Sequence, residues 1–227
     1  GPTEVLQAVA THEEAVGEVL EEAGHAQAGH EPHQTPGNRI DEQCVDQHRR
    51  RRHRGERAAL LRRGGAGDDL VTSQSGNDSI DGGPGNDTII AASGQNTVAG
   101  GDGNDTLAGS QGNDEIHGGS GDDSLAGQGG DDLIWGDEGD DTILGGAGSD
   151  SLFGGAGNDW MSGNDGDDVL VSGGGSDDLD GGAGNDLLIG GDDDETARIH
   201  GGDGEDTLMP GAGDFAEGNA GADQFVL

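Results

Sequence analysis

The fold is decided by a nine-residue stretch, Gly82-Gly83-Pro84-Gly85-Asn86-Asp87-Thr88-Ile89-Ile90, because this unit recurs fourteen times without a gap from Gly64 to Ile189. The fourth place is Gly in all fourteen units, and the sixth place is Asp in thirteen, with Asn96 as the exception. The eighth place is always aliphatic or Met. Composition bias alone would not hold three residue types at three fixed phases, so the pattern indicates a repeated structure.

A short unit with one large apolar residue cannot bury it alone, so copies must stack until these residues form a continuous ladder. Places seven to nine, such as Thr88-Ile89-Ile90, suit a short strand whose central side chain points inward. Glycines at places one, two and four allow the backbone to bend sharply between strands. Two strands and two turns make a coil of eighteen residues, so the repeat predicts an all-β solenoid.

The recurring acid in each turn predicts a bound cation. Stacking places each sixth-place Asp about 4.8 Å from its counterpart one coil away. Two carboxylates at that separation repel by about 3 kcal/mol at an effective dielectric of about 20, and a divalent cation between them removes the repulsion. Carboxylates and turn carbonyls suit Ca²⁺, whereas Zn²⁺ prefers nitrogen or sulfur, and no repeated place holds His or Cys. The residues therefore predict calcium.

These units resemble the Gly-Gly-x-Gly-x-Asp-x-apolar-x nonapeptide of the RTX (repeats-in-toxin, haemolysin-type calcium-binding) family, and the resemblance covers residues 64–227. It implies a right-handed parallel β-roll with Ca²⁺ ions held in both rows of turns. Asn96 would make a weaker site. Carried over by position, the resemblance implies side-chain ligation of calcium by Asp69, Asp78, Asp87, Asp105, Asp114, Asp123, Asp132, Asp141, Asp150, Asp159, Asp168, Asp177, Asp186, Asp206 and Asp223.

Charge is distributed unevenly along the chain, whose formal net charge is −37. Residues 1–63 hold nine of the ten Arg, while residues 64–227 hold 36 acidic residues against Arg198 alone. Binding of this part to nucleic acid or to an anionic membrane is therefore unfavourable. Low hydrophobicity with high net charge predicts disorder without metal and folding coupled to calcium binding. Since calcium is abundant outside cells and scarce in cytosol, we expect a secreted or cell-surface bacterial protein.

Residues 1–63 are predicted to form a separate N-terminal segment. Residues 3–23 have the apolar spacing of an amphipathic helix, which either covers the first coil or is the remnant of an upstream domain. Residues 24–38 are typical of a linker, and an Arg-rich cluster at 49–54 is followed by Arg57, Arg62 and Arg63. A short helix over 55–63 is predicted to cap the apolar ladder. Cys44 is the only cysteine, which excludes an intrachain disulfide, and no apolar run is long enough for a transmembrane helix.

The repeat becomes irregular over residues 190–227, which we expect to include a cap. The unit 190–200 is two residues too long, with Glu195 predicted as a weaker ligand and Ala197 in the core place. Phe215 and Phe225 suit a cap that closes the ladder against water. Residues 223–227, an acid followed by apolar residues, resemble the terminal motif by which the family is recognised by the type I exporter.

Nothing in the sequence favours an enzyme. No Ser stands in a Gly-x-Ser-x-Gly frame, and the many acids belong to the turns. We favour a calcium-binding module that folds on Ca²⁺ binding after export and stabilises a secreted protein. The alternatives are the repeat region of an adhesin that binds carbohydrate, ice or cells, and the C-terminal part of a secreted hydrolase whose catalytic domain is absent. A regular row of Thr or aromatic residues would favour the adhesin, but the outward seventh places are mixed. Trp135 and Trp160 are predicted to face outward as packing residues.

Overall fold

The structure, a computed structural model, describes residues 61–191 and 195–226. Within these residues every regular element is a β-strand. None of the described segments is a helix long and apolar enough to cross a membrane. The helix predicted over 3–23, the linker over 24–38 and the Arg-rich cluster at 49–54 lie outside the described residues.

Nineteen strands follow one another along the described chain, and most of them have six residues. In chain order they are β1 (Leu61–Arg63), β2 (Leu70–Thr72), β3 (Ser79–Pro84), β4 (Thr88–Ile90), β5 (Thr97–Asp102), β6 (Thr106–Gln111), β7 (Glu115–Ser120), β8 (Ser124–Gly129), β9 (Leu133–Glu138), β10 (Thr142–Ala147), β11 (Ser151–Ala156), β12 (Trp160–Asp165), β13 (Val169–Gly174), β14 (Asp178–Ala183), β15 (Leu187–Ile189), β16 (Arg198–Asp203), β17 (Thr207–Met209), β18 (Phe215–Ala220) and β19 (Gln224–Phe225).

Consecutive strands belong to opposite sheets. The odd-numbered strands form a ten-stranded sheet and the even-numbered strands a nine-stranded sheet, each in sequence order. Every pairing is parallel, and in the regular part partners lie eighteen residues apart, as Thr142 with Trp160. The predicted solenoid of stacked eighteen-residue coils is confirmed.

Most strands are longer than the three residues predicted at places seven to nine. Strand β10, for example, continues through the first three places of the next unit and ends at Ala147. There Gly146 still pairs with Gln128 and Asn164 in the neighbouring coils, although its φ is 123°. Glycine adopts this left-handed backbone without cost, so the ladder of hydrogen bonds runs on into the bend. Only places four to six remain as the turn.

The core lies between the two sheets and consists of the eighth-place side chains, which form one column in each sheet. Each is shielded from water by the coils on either side, and burying such a side chain contributes about 1.5–3 kcal/mol. In the regular repeats these residues are Val71, Ile80, Ile89, Val98, Leu107, Ile116, Leu125, Ile134, Ile143, Leu152, Met161, Leu170, Leu179 and Leu188.

The first coil differs from its prediction. Leu61–Arg63 is a strand that pairs with β3, so the helix predicted over 55–63 is wrong in its last three residues, and the rest of it lies outside the described residues. Leu61 is 62% exposed and does not cap the core. Residues 61–63 form a strand because the free edge of β3 offers hydrogen bonds that a helix could not use. In this register Arg62 stands at the core place, opposite Ile80.

The irregular unit is also aligned differently from its prediction. Ile199, fully buried opposite Leu179, takes the core place, and Ala197 takes the sixth place. The two extra residues are therefore accommodated in the turn, and Glu195 is exposed. At the last coil Phe225 pairs with Leu208 but is 51% exposed, and Phe215 is 57% exposed. These two rings do not seal the ladder.

Candidate metal centre

The sixth-place carboxylates line the two edges of the solenoid, where the chain turns from one sheet to the other. Although they are charged groups, thirteen of the fifteen predicted ligands are buried, and Asp69 and Asp223, near the two ends, are half-buried. Asp132 and Asp141, on opposite edges, are 3% and 2% exposed. The structure therefore collects the predicted residues into two columns, and a buried charge of this kind needs a partner.

One oxygen of most of these carboxylates is used by the main chain. Asp87 Oδ1 accepts the N–H of Asp69, one coil earlier, at 2.8 Å, and Asp150 Oδ1 accepts the N–H of Asp132 at 2.7 Å. The same bond recurs along both edges, for example from Asp141 N to Asp159 Oδ1 at 2.8 Å. Each coil is thereby tied to the coil before it through the side chain of its aspartate.

The second oxygen has no such partner. Ten Oδ2 atoms are buried and accept no hydrogen bond from any part of the chain that the structure describes. A buried acceptor left in this state destabilises a fold by about 1–3 kcal/mol, and more when it is charged. These atoms belong to Asp87, Asp105, Asp123, Asp132, Asp141, Asp150, Asp159, Asp168, Asp186 and Asp206.

A main-chain carbonyl from the next coil lies beside each of these oxygens. A Cβ atom added to Gly136 would lie 2.3 Å from Asp141 Oδ2 and 2.4 Å from the carbonyl oxygen of Gly154. The same pair of contacts surrounds Gly100, Gly118 and Gly127. The first-place glycine thus leaves room for both oxygens beside its Cα, an arrangement that a cation near them would stabilise.

Burial raises the pKa of these carboxyl groups above the usual 3.8. Desolvation is the main cause; the main-chain N–H bond opposes it, and the negative charges of neighbouring aspartates add to it. The pKa is about 7 for Asp123, Asp132, Asp141, Asp159 and Asp168 and about 6 for Asp87 and Asp186. Without a counter-ion, the folded chain therefore resists full ionisation of its own columns near neutral pH.

The donor atoms fit calcium. All are hard oxygens, and a Gly-rich turn with several carbonyls can supply the irregular, oxygen-rich coordination that Ca²⁺ accepts. Among residues 61–191 and 195–226 no three His, Cys, Asp or Glu side chains converge on one point. A cation held here would therefore take much of its coordination from main-chain carbonyls, with the aspartates providing the charge.

Asn96 is the one regular sixth-place residue that is not an acid. Its amide nitrogen donates to the carbonyl of Ala92 and to Asp114 Oδ1, both at 2.9 Å, with a longer 3.4 Å contact to the carbonyl of Gly94. The other oxygen of Asp114 accepts the N–H of Ser110 at 2.8 Å and its hydroxyl at 3.4 Å. Both oxygens of Asp114 are therefore satisfied by the chain.

Sequence reasoning missed one residue of this kind. Asp214 occupies the sixth place of the shortened unit, where its Oδ1 accepts the N–H of Ala197 at 2.9 Å and its Oδ2 that of Gly211 at 2.6 Å. The prediction that Glu195 occupies a sixth place is wrong, because Ala197 stands there. Counting back from Ile199, which is buried, and from Ala216, which is partly buried, instead of forward from Ile189, would have found both positions.

A second cluster lies on the outer face of the ten-stranded sheet. His117, Trp135 and Phe153, each at a ninth place, stack with centroid separations of 4.3 and 5.6 Å. Burial lowers the pKa of His117, but hydrogen bonds to Asp137 and Glu115 outweigh this and raise it to about 9. Both faces of the Trp135 ring are covered, as expected of a packing residue, whereas Trp160 on the other sheet is 43% exposed.

Comparison with known proteins agrees with this geometry. No curated protein sequence is significantly similar to the chain. The family model described as the RTX calcium-binding nonapeptide repeat matches more than half of the chain, over residues 63–98, 99–134, 117–152, 135–170, 144–179, 171–196 and 198–214. The repeats of this family bind calcium and are typical of secreted bacterial proteins. With its nonapeptide phases, its parallel solenoid and its columns of turn aspartates, the chain belongs to the RTX calcium-binding nonapeptide repeat family.

Proposed function

We propose that this chain is a calcium-driven folding module, which is unfolded before export and folds around Ca²⁺ outside the cell, where it stabilises the secreted protein that carries it. The observation that supports this most is the set of ten buried Oδ2 atoms without a hydrogen-bond donor in the described residues. The sixth-place aspartates would supply the charge at each ion, and neighbouring main-chain carbonyls the remaining oxygens. Binding free energy then becomes folding free energy.

The module works as a structural repeat domain in this proposal, and its partners are calcium ions and a type I exporter. Residues 64–227 carry 36 acidic residues against one Arg, so the metal-free chain repels itself. That repulsion keeps the chain extended for passage through an exporter, and extracellular calcium removes it. The proposed location is therefore the outside of a bacterial cell.

Circular dichroism during calcium titration tests the proposal, with magnesium titrated in parallel. We expect a transition from coil to β-structure with Ca²⁺ but not with Mg²⁺, because the flexible oxygen cage suits the larger ion. The variant Asp141→Ala removes a buried carboxylate and should raise the calcium midpoint about tenfold or more, equivalent to about 1.4 kcal/mol. A chain that is fully folded in chelator would refute the proposal.

Asp140→Ala is the matched control. Asp140 is the neighbouring residue and carries the same charge, but it lies exposed at the fifth place, where it accepts hydrogen bonds from Asn158. We expect its calcium midpoint to stay within about twofold of that of the unchanged chain, because exposed groups contribute little. Equal shifts in the two variants would mean that net charge, rather than the buried column, controls folding.

A second candidate function, surface adhesion, is favoured by one feature of the nine-stranded sheet. Because alternate units lie in opposite sheets, one outward column of this sheet consists of hydroxyl side chains, each paired with the next: Thr88, Thr106, Ser124 and Thr142. Such a row of hydroxyls at the strand spacing is suited to a regular ligand such as a polysaccharide or ice. Binding of the calcium-loaded chain to a glycan array or to ice, abolished by Thr106→Lys, would support this function.

A further inference from the structure

The turn pair that contains Asn96 and Asp114 is built differently from the other coil junctions of the regular repeats. Asn has the shape of Asp, but its Nδ2 stands where the second carboxylate oxygen would be. At Asn96 this nitrogen uses both of its hydrogens, one on the Ala92 carbonyl and one on Asp114 Oδ1, each at 2.9 Å. An Asp in the same position would direct an oxygen at those oxygens, which is the arrangement that needs a cation.

Asp114 completes the junction from the other side. Its Oδ1 accepts the main-chain N–H of Asn96 at 2.7 Å as well as the amide, and its Oδ2 accepts two donors from Ser110. By contrast Asp132 and Asp150, in the following coils of the same edge, each keep a buried Oδ2 that accepts no hydrogen bond from the described residues. The chain thus supplies at Asp114 the donors that it does not supply further along.

The backbone at the start of this edge is consistent with this difference. The second place of a unit has positive φ in most turns, as at Gly119 (115°), Gln128 (80°) and Asp137 (76°). The exceptions are the first three second-place residues on this edge, Gln74, Ala92 and Ser110, which are not among the positive-φ residues. Ser110, which has no positive φ, donates its N–H to the Asp114 carboxylate. The turn 109–114 therefore differs from the later turns of this edge both in its backbone conformation and in the donors that it offers to its aspartate.

We infer that the junction between the turns 91–96 and 109–114 closes without a calcium ion, held by the Asn96 amide and the Ser110 donors in the place of the metal. This inference rests on the proposed function, since it concerns which junctions take ions. It means that the column on this edge is interrupted at its second coil, and that Asp114 holds no ion together with position 96. The two turns are therefore held together by hydrogen bonds, and this contact does not depend on calcium.

Counting bound ions by equilibrium dialysis and atomic emission tests this, with folding checked by circular dichroism in saturating calcium. Asn96→Asp should bind one more Ca²⁺ per chain than the unchanged protein, because it restores the missing charge. Asp132→Asn should bind one fewer and stay folded, because it transfers the amide to an ordinary junction. The control Asp131→Asn, an exposed fifth-place residue with the same charge change, should bind the same number.

The outcomes distinguish the proposed function from the calcium-free junction. No bound calcium in the unchanged chain would refute the proposed function. If the unchanged chain, Asn96→Asp and Asp132→Asn all bind the same number of Ca²⁺ ions, the calcium-free junction alone is refuted. A crystal structure of the unchanged protein with an ion between Asn96 and Asp114 would refute it as well. If Asn96→Asp does not fold, the number of Ca²⁺ ions bound by Asp132→Asn decides. An unchanged number in that variant would contradict the inference that an asparagine amide takes the place of the metal.

Discussion

At the scale of single residues, most first places hold a glycine that makes room for the turn aspartate, although Ser73, Ala91 and Ser172 carry a side chain at this place. Gly136 has no positive φ, so its role is spatial: a Cβ there would lie 2.3 Å from Asp141 Oδ2 and 2.4 Å from the Gly154 carbonyl. Gly129 is also buried and has no positive φ, yet a Cβ there would meet only the flexible end of Gln111, at 2.9 Å. The two glycines therefore differ in what surrounds them and not in conformation.

This difference predicts a difference in stability. Gly136→Ala should lower the free energy of unfolding by about 3 kcal/mol, because the methyl group collides with a carboxylate and a main-chain carbonyl that cannot both move. Gly129→Ala should change it by less than about 1 kcal/mol, since the Gln111 side chain can swing away. Urea unfolding of both variants at one saturating calcium concentration measures this. Equal losses would show that the crowding around first-place glycines is unimportant.

At the scale of the strand, the eighth place carries the stability of the two sheets. Leu152 in β11 is fully buried, whereas Leu70 in β2 is 56% exposed at a seventh place. Leu152→Ala should destabilise the fold by about 2–5 kcal/mol, through lost burial and the cavity left behind. Leu70→Ala should cost less than about 0.5 kcal/mol. Thermal unfolding in calcium compares them, and similar losses would contradict a core made of the eighth-place side chains.

Strands were predictable where the sequence keeps its phase. Thirteen aspartates and fourteen core residues follow from counting in nines, because a one-residue slip would turn every core side chain outward. Counting failed between Ile189 and Ile199, since an insertion can be placed at several points of a turn, and only the pairing of Ile199 with Leu179 shows where it lies. The Asn96 junction was predicted as a weaker ion site, but its amide contacts depend on three-dimensional geometry that a repeat pattern does not contain.

At the scale of the whole molecule, the raised pKa values predict how the metal-free chain responds to acid. An unfolded Asp binds its proton near pH 3.8, whereas several folded carboxyl groups do so at about 7. Between these values the folded state holds more protons, so its stability falls as pH rises through about 7. Without calcium, the stabilisation is greatest below the ordinary pKa and is lost above the raised one.

Acidification should therefore have opposite effects with and without metal. In calcium-free buffer, lowering the pH from 8 to about 5 should increase the β-signal in circular dichroism, because protons neutralise the buried columns. In calcium the β-signal should instead need more metal as the pH falls, since protons compete for the same oxygens. A calcium-free spectrum that does not change over this range would contradict the burial of these carboxylates.

The alternation of units between two sheets has a consequence for inheritance. If DNA recombination within the repeat removed or added a single nonapeptide between Trp135 and Phe153, every later outward side chain would move to the opposite face. The Trp135 and Phe153 rings would then lie on different sheets and could not stack. An exchange of two nonapeptides would restore the original faces. Lineages that keep an outer surface in use should therefore differ in length by eighteen residues at a time.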